Sequence, residues 1–499
     1  MSAATSKSTL ALTQAPVVSC ESLSALSLPN TTVNSATDAG TFCAVKLTVN
    51  NPPSNDAVRV GVFLPDNWNG RFQAMGGGGY SGGSPDAPPV SALNAGYATA
   101  ATDTGHPNQG FSVPGDFALN ADNTLNQQLI DDFAFLGIHE MTTTAKAVIG
   151  TYYGQAPQYS YFNGCSTGGR QGLMEAQRYP TDYDGIASAS PAVNWDRFMM
   201  AQLWGSLQQD LAGDVIPACK FNFATQQAVQ ACDGLDGVTD GVVGAWHDCT
   251  FDARTLIGQT GPGCTDPITA TDADIINMIW AGPNDHGKHY LWYGLLPGAD
   301  INPRNGAAGF VFSVNHIKYW LKQDPSFDWT TLTLDQYFDL FRQSVDQYRS
   351  VIGTDDPNLT AFRNAGGKIV GWVGTADQLI YPEGSMQYYV DVIHRMGGLA
   401  ATRDFFRFFI APGVGHCAGG AGATPTNTFD ALVDWVENGN APATLAGTRL
   451  GPGAPLTRPV CLYGEKAVYS GTGDVNSAAN WSCQPDDQGF TMSGPRPGP

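Results

Sequence analysis

The sequence predicts an α/β protein: a mostly parallel sheet flanked by helices and interrupted by one large insert. Three observations predict it. Apolar runs of strand length alternate with helix-periodic runs over residues 55–190 and again over 368–437. Between them, over about 195–365, strand-like runs are few, yet four of the ten cysteines and seven of the eleven tryptophans fall there. Last, the pentad Gly164-Cys165-Ser166-Thr167-Gly168 separates a strand-like run from a helix-compatible one.

The elements follow in order. Residues 58–64 alternate as a strand, Pro65-Asp66-Asn67-Trp68 turns, and 72–75 resume a strand. Small residues over 95–101 read as a further strand ending at Thr102-Asp103-Thr104-Gly105-His106. Residues 130–153 carry helical spacing through Phe133, Leu136, Ile138 and Met141. A strand over 159–162, a helix over 170–179 and a short strand over 186–189 surround the pentad. Strands resume over 368–373 and 405–410, and 430–437 reads as a helix. The chain therefore divides into a catalytic domain, 1–194 plus 366–499, and an inserted lid domain, 195–365, whose tryptophans suit walls for a planar ligand.

Composition narrows the class. A chain of 499 residues has room for two to three domain-sized units, and 59 glycines and 32 prolines make it loop-rich. Ten cysteines without a Cys-x-x-Cys pair point to disulfides and an oxidising compartment. The start lacks a basic stretch followed by an apolar one, so a secreted or periplasmic protein without its signal peptide is expected. No apolar run has transmembrane length. A net charge of −20 argues against nucleic acid and anionic membranes as partners.

Gly-x-Ser-x-Gly between strand and helix is the pattern of a nucleophile elbow, which lifts a serine hydroxyl off the sheet of an α/β-hydrolase fold. Ser166 then needs a base, an orienting acid and an oxyanion hole. In that fold the chain order is Ser, Asp or Glu, His. His416 lies directly after the strand 405–410 and beside Cys417. A Cys165–Cys417 bridge would bring it within reach of Ser166. Asp377, in the loop after the strand 368–373, is the candidate acid. The run Gly76-Gly77-Gly78-Gly79 follows a strand and supplies close backbone amides. Gly78 or Gly79 is expected to join the Thr167 amide as oxyanion donor. The alternative, a phosphate loop, lacks the Walker lysine.

The insert carries Cys232-Asp233-Gly234-Leu235-Asp236-Gly237-Val238-Thr239-Asp240-Gly241-Val242. Asp233, Asp236 and Asp240 with the Val238 and Val242 carbonyls form a hard-oxygen set suited to a structural Ca²⁺. It is no EF-hand, for the closing glutamate is missing. Cys232 and Cys249 are placed to close the loop.

Residues 164–171 (Gly-Cys-Ser-Thr-Gly-Gly-Arg-Gln), Gly415-His416-Cys417 and the Asp233/Asp236/Asp240 loop together resemble the tannase and feruloyl esterase family, which includes mono(2-hydroxyethyl) terephthalate hydrolases. The likeness spans about 20–485. It implies a secreted α/β-hydrolase with a large lid, Ser166 as nucleophile, His416 as general base and Asp377 as its orienter. It implies calcium on Asp233, Asp236, Val238, Asp240 and Val242, and the Cys165–Cys417 bridge. Cys232–Cys249 and Cys461–Cys483 match family pairings, with Cys20–Cys43 and Cys219–Cys264 as what remains. Thr167 stands where the terephthalate hydrolases tend to carry an acid, which leans towards natural phenolic esters. The expected activity is hydrolysis of small aromatic esters, ferulate foremost and gallate or the terephthalate monoester as alternatives, on plant cell-wall polysaccharide or tannin. The rival from another class is an inactive, calcium-stabilised binding protein.

Overall fold

A computed structural model describes residues 13–486, apart from 55, 107–113, 286–288, 302–307 and 452. In chain order its strands are β1 (Thr31–Asp38), β2 (Phe42–Val49), β3 (Val58–Pro65), β4 (Arg71–Met75), β5 (Ala98–Thr102), β6 (Tyr159–Cys165) and β7 (Gly185–Ala189). Then come β8 (Asn284–Asp285), β9 (His289–Tyr290), β10 (Lys368–Gly374), β11 (Phe406–Ala411), β12 (Thr424–Pro425), β13 (Thr444–Thr448), β14 (Thr457–Leu462), β15 (Glu465–Tyr469) and β16 (Trp481–Pro485). Twelve form one sheet in the order β1-β2-β3-β5-β4-β6-β7-β10-β11-β14-β13-β12.

The sheet is parallel only in its middle, from β5 to β11. The expected mostly parallel sheet is thus a parallel centre with antiparallel flanks, β1–β3 on one edge and β12–β14 on the other. Helices cover both faces of the centre, which is why its strands are apolar throughout. Along β10, Ile369 and Val373 join the core under the helices Gly137–Tyr153 and Pro382–Met396. Val370 and Trp372 join the opposite core, with Leu432 and Trp435 of the helix Thr428–Asn438. One strand therefore feeds two cores by its period of two.

Two local readings shift. The strand expected at 95–101 is β5, Ala98–Thr102; Ala95 caps the short helix Val90–Asn94 instead. The helix expected at 130–153 is Gln127–Asp131, a π-helical turn Asp132–Leu136, and Gly137–Tyr153. Gly137 sits against Thr104, where an added Cβ would be 3.0 Å from the threonine methyl.

From β7 to β10 the regular structure is almost all helical; its only described strands are the two-residue β8 and β9. Two helices there start with capping boxes, Thr269 with Asp272 and Thr333 with Gln336. Five of the segment's tryptophans (195, 204, 292, 320 and 329) are buried. Their core is continuous with Tyr80, which follows β4, and with Leu379 and Ile380, which follow β10. The helical segment therefore packs against loops leaving the C-terminal ends of the parallel strands.

Five disulfides are present: Cys20–Cys43, Cys165–Cys417, Cys219–Cys264, Cys232–Cys249 and Cys461–Cys483. Cys165–Cys417, Cys232–Cys249 and Cys461–Cys483 are the pairs the resemblance implies, and the structure pairs the other four cysteines as Cys20–Cys43 and Cys219–Cys264.

Candidate active site

β6 ends at Cys165, and the helix Thr167–Arg178 starts after one residue. That residue, Ser166, has φ 64° and ψ −125°, a strained conformation for a side-chain-bearing residue. Its N–H donates to the Ala189 carbonyl at 3.0 Å. Glycine at 164 and 168 is a packing demand. A Cβ on Gly164 would lie 2.5 Å from the Gly168 carbonyl carbon, and one on Gly168 3.1 Å from the Gly77 oxygen. The helix start is therefore pressed against both its own strand and the glycine run.

Asp377 and His416 leave the ends of the neighbouring strands β10 and β11, which pair in register up to Gly374 and Ala411. His416 Nδ1 lies 3.0 Å from Asp377 Oδ1 and 2.9 Å from Oδ2. Asp377 is fully buried. Its Oδ1 also accepts the Leu379 and Ile380 amides, each at 2.9 Å. Those two bonds fix the carboxylate plane and hence the ring it holds. Gln378 Oε1 accepts the His416 N–H at 3.1 Å. The Cys165–Cys417 bridge, with Cα atoms 5.9 Å apart, ties the residue before Ser166 to the residue after His416. His416 Nε2 is buried and makes no hydrogen bond among the described residues, to Ser166 included. Such contacts commonly tighten only when substrate is bound.

The glycine run resolves by where its amides go. Gly76 N–H donates to the Asn163 carbonyl, Gly77 N–H to Gln171 Oε1 and Gly78 N–H to the Ser81 carbonyl. Among the described residues the Gly79 N–H has no acceptor, while the Gly79 carbonyl accepts the Thr167 hydroxyl at 2.6 Å. Gly79, Ser166 and Thr167 border one crevice, otherwise walled by apolar side chains and Gln202. Its free space of about 20 Å³ is room for one water. Among the described residues Trp195 is the only tryptophan on it.

Sequence reading assigned no task to Gln171 and Arg170, although both follow the pentad. Gln171 takes the Gly77 amide and donates to the Gly82 carbonyl at 3.1 Å, latching helix to glycine run. Arg170 is fully buried, donates to the Ala134 and Phe133 carbonyls, and is pulled down to about 9 by desolvation. Their position one turn into the helix after the elbow was the available signal.

The acidic loop is closed by Cys232–Cys249. Asp233 accepts the Asp240 and Gly241 amides, Asp236 accepts Val238 N–H and Asp240 accepts Val242 N–H. Asp236 is pushed up to about 6 by burial first, then by Asp240 and Asp233. One guanidinium, Arg458, neutralises part of the charge at 2.6 Å from Asp240 Oδ2. Three hard carboxylates, of which Asp240 alone has an ion pair among the described residues, fit Ca²⁺ by donor chemistry. Their oxygens are turned to backbone amides and are not gathered within 4.8 Å of one another. Among the described residues only His139, Glu175 and Asp182 are so gathered. There the His139 Nδ1 is 2.7 Å from Asp182, and Lys146 donates to the Asp182 carbonyl. Those bonds tie the helix Gly137–Tyr153 to Asp182, while both Glu175 carboxylate oxygens lack a hydrogen-bond partner among the described residues.

Comparison with known proteins places the chain in a family. Residues 43–484 match the family described as Tannase and feruloyl esterase. A probable feruloyl esterase of Arthroderma benhamiae is 40% identical over 480 residues, covering 92% of this chain and 87% of that protein. Feruloyl esterase B of Aspergillus niger is 32% identical over 451 residues, covering 85% and 83%. Among solved structures, an esterase from Aspergillus oryzae superposes with a TM-score of 0.82 at 25% identity, over 93% of this chain and 99% of that one. Tannin acyl hydrolase from Aspergillus niger shares the fold, with a TM-score of 0.80 at 24% identity over 93% of each chain. This α/β-hydrolase fold protein belongs to the tannase and feruloyl esterase family and is a carboxylic ester hydrolase of that type.

Proposed function

We propose that the chain is a secreted serine feruloyl esterase that releases hydroxycinnamic acids from plant cell-wall esters. The observation that carries the chemistry is the bridge between Cys165 and Cys417, which tethers Ser166 to an imidazole already held by Asp377. Ser166 Oγ attacks the ester carbonyl and His416 Nε2 takes its proton. The same nitrogen returns the proton to the leaving alcohol, then activates the water that frees the acid. The Thr167 and Gly79 amides hold the oxyanion. Gly79 is preferred to Gly78 because the Gly78 amide is already spent on Ser81. Losing one such donor costs about 10²–10³ in rate.

Ferulate is favoured over gallate because the similar curated proteins carry that name. Residues 195–365 act as the lid that bounds the acyl crevice. Asp233, Asp236 and Asp240, with the Val238 and Val242 carbonyls, would hold a Ca²⁺ that neutralises the loop and stiffens the insert. Secretion is supported by the five disulfides. Among the described residues no helix is long and apolar enough to cross a membrane.

An active-serine phosphonate should label the protein, and Ser166→Ala should remove the label without unfolding it. A folded, unlabelled wild type would establish the inactive binding protein instead. Rates on methyl ferulate, methyl gallate and the terephthalate monoester then rank the substrates; gallate ahead of ferulate would make the enzyme a tannase.

A further inference from the structure

The crevice beside Ser166 is apolar apart from the elbow's backbone, the Thr167 hydroxyl and one amide, Gln202. Gln202 is 3% exposed. Its Nε2 donates to the Leu379 carbonyl, in the loop whose amide at Leu379 donates to Asp377. A carbonyl accepts and never donates, so this bond settles which end of the amide is which: Oε1 is the free end. No described protein group donates to that Oε1. A buried acceptor without a donor is costly, and one on a binding wall is normally there for a ligand. Trp195, on the same wall, has a buried indole N–H with no acceptor among the described residues. One unmet acceptor and one unmet donor belong to residues that line this otherwise apolar crevice. A phenolic hydroxyl is a neutral group that can both donate and accept.

We propose that Gln202 is a specificity-determining residue that accepts a hydrogen bond from the phenolic hydroxyl of the acyl group, selecting 4-hydroxycinnamates over cinnamates that lack it. This rests on the reading of Ser166 as nucleophile and of the crevice as the acyl site. Entry of the ring requires the apolar wall to yield, since the free space holds only a water. Selection follows because the hydroxyl-free ring leaves Oε1 unpaired, the kind of mismatch enzymes reject most strongly.

The test compares methyl p-coumarate, methyl 4-methoxycinnamate and methyl cinnamate on the full chain. Wild type should favour p-coumarate in kcat/KM by at least about tenfold over both others. Gln202→Leu and the more nearly isosteric Gln202→Met should collapse that ratio towards one. Wild type with no preference for the free hydroxyl overturns the proposal whatever the variants do. So does a preference that survives in either folded variant. Phosphonate labelling of Ser166 runs alongside. Normal labelling with an unmoved ratio refutes only the role of Gln202, whereas absent labelling in wild type refutes the esterase reading beneath it.

Discussion

Replacing Asp377 by Asn tests the proposed machinery at its most constrained atom. Asp377 Oδ1 already accepts two backbone amides, from Leu379 and Ile380. An asparagine must keep its oxygen there, because the amino group cannot accept. Its Nδ2 then falls where Oδ2 was, 2.9 Å from His416 Nδ1. Two donors cannot face each other, so the imidazole must move its proton to Nε2. That nitrogen can no longer take the proton from Ser166. The same change in other serine hydrolases lowers kcat by about 10⁴, or roughly 5.5 kcal/mol at 1.36 kcal/mol per decade. Asp377→Asn should therefore lose about 10⁴ in kcat on methyl ferulate with KM changed little, while near-ultraviolet circular dichroism stays native. A loss below tenfold in the folded variant would refute the assignment of Asp377 as orienter.

Three further outcomes follow from other parts of the molecule. Replacing both Cys165 and Cys417 by Ala should lower stability in urea by about 2–5 kcal/mol and cut kcat by about 10², since a misplacement of about 1 Å suffices for that; full activity well below the melting temperature would sever the bridge from catalysis. Chelation should lower the melting temperature and added Ca²⁺ should restore it, whereas unchanged melting with no metal found by elemental analysis would remove the calcium site. Asp196 is fully buried, neither of its oxygens has a hydrogen-bond partner among the described residues, and burial raises it to about 7 despite Arg197. Its folded value lies above its unfolded one, so its ionisation costs stability progressively from about pH 4 to 7, by at most about 4 kcal/mol. Asp196→Asn should flatten the decline of melting temperature over that window; an unchanged pH profile would count against it.

The site was legible in the sequence where short-range covalent and steric rules act. The pentad demanded glycines at 164 and 168, and the close contacts of both positions show why. The chain order chose Asp377 and His416, which the structure brings together although they are 39 residues apart. Cysteines adjacent to Ser166 and His416 carried the same message through a separation of 252 residues. Less of the fold's periphery was legible. β1 is polar and largely exposed, so its Thr, Asn and Ser residues carry no alternation to read. β12–β14 are short antiparallel strands at one side of the sheet, tied to its centre by two β11–β14 pairs, such as Phe409 with Leu462, that no local pattern announces.

The sequence by itself determined the candidate site: a serine between strand and helix, its candidate partners in order after later strands, and the cysteine pair joining them. Those are local patterns, each enforced within a few residues by backbone sterics. Only the tertiary structure decided which glycine amide is left free, because Gly76, Gly77 and Gly78 give theirs to Asn163, Gln171 and Ser81. Only it brought Gln202 of the helical segment against the loop after β10, leaving its Oε1 without a donor among the described residues. Such features depend on which polar groups remain unpaired after packing, and the count of pairs exists only once the chain is folded.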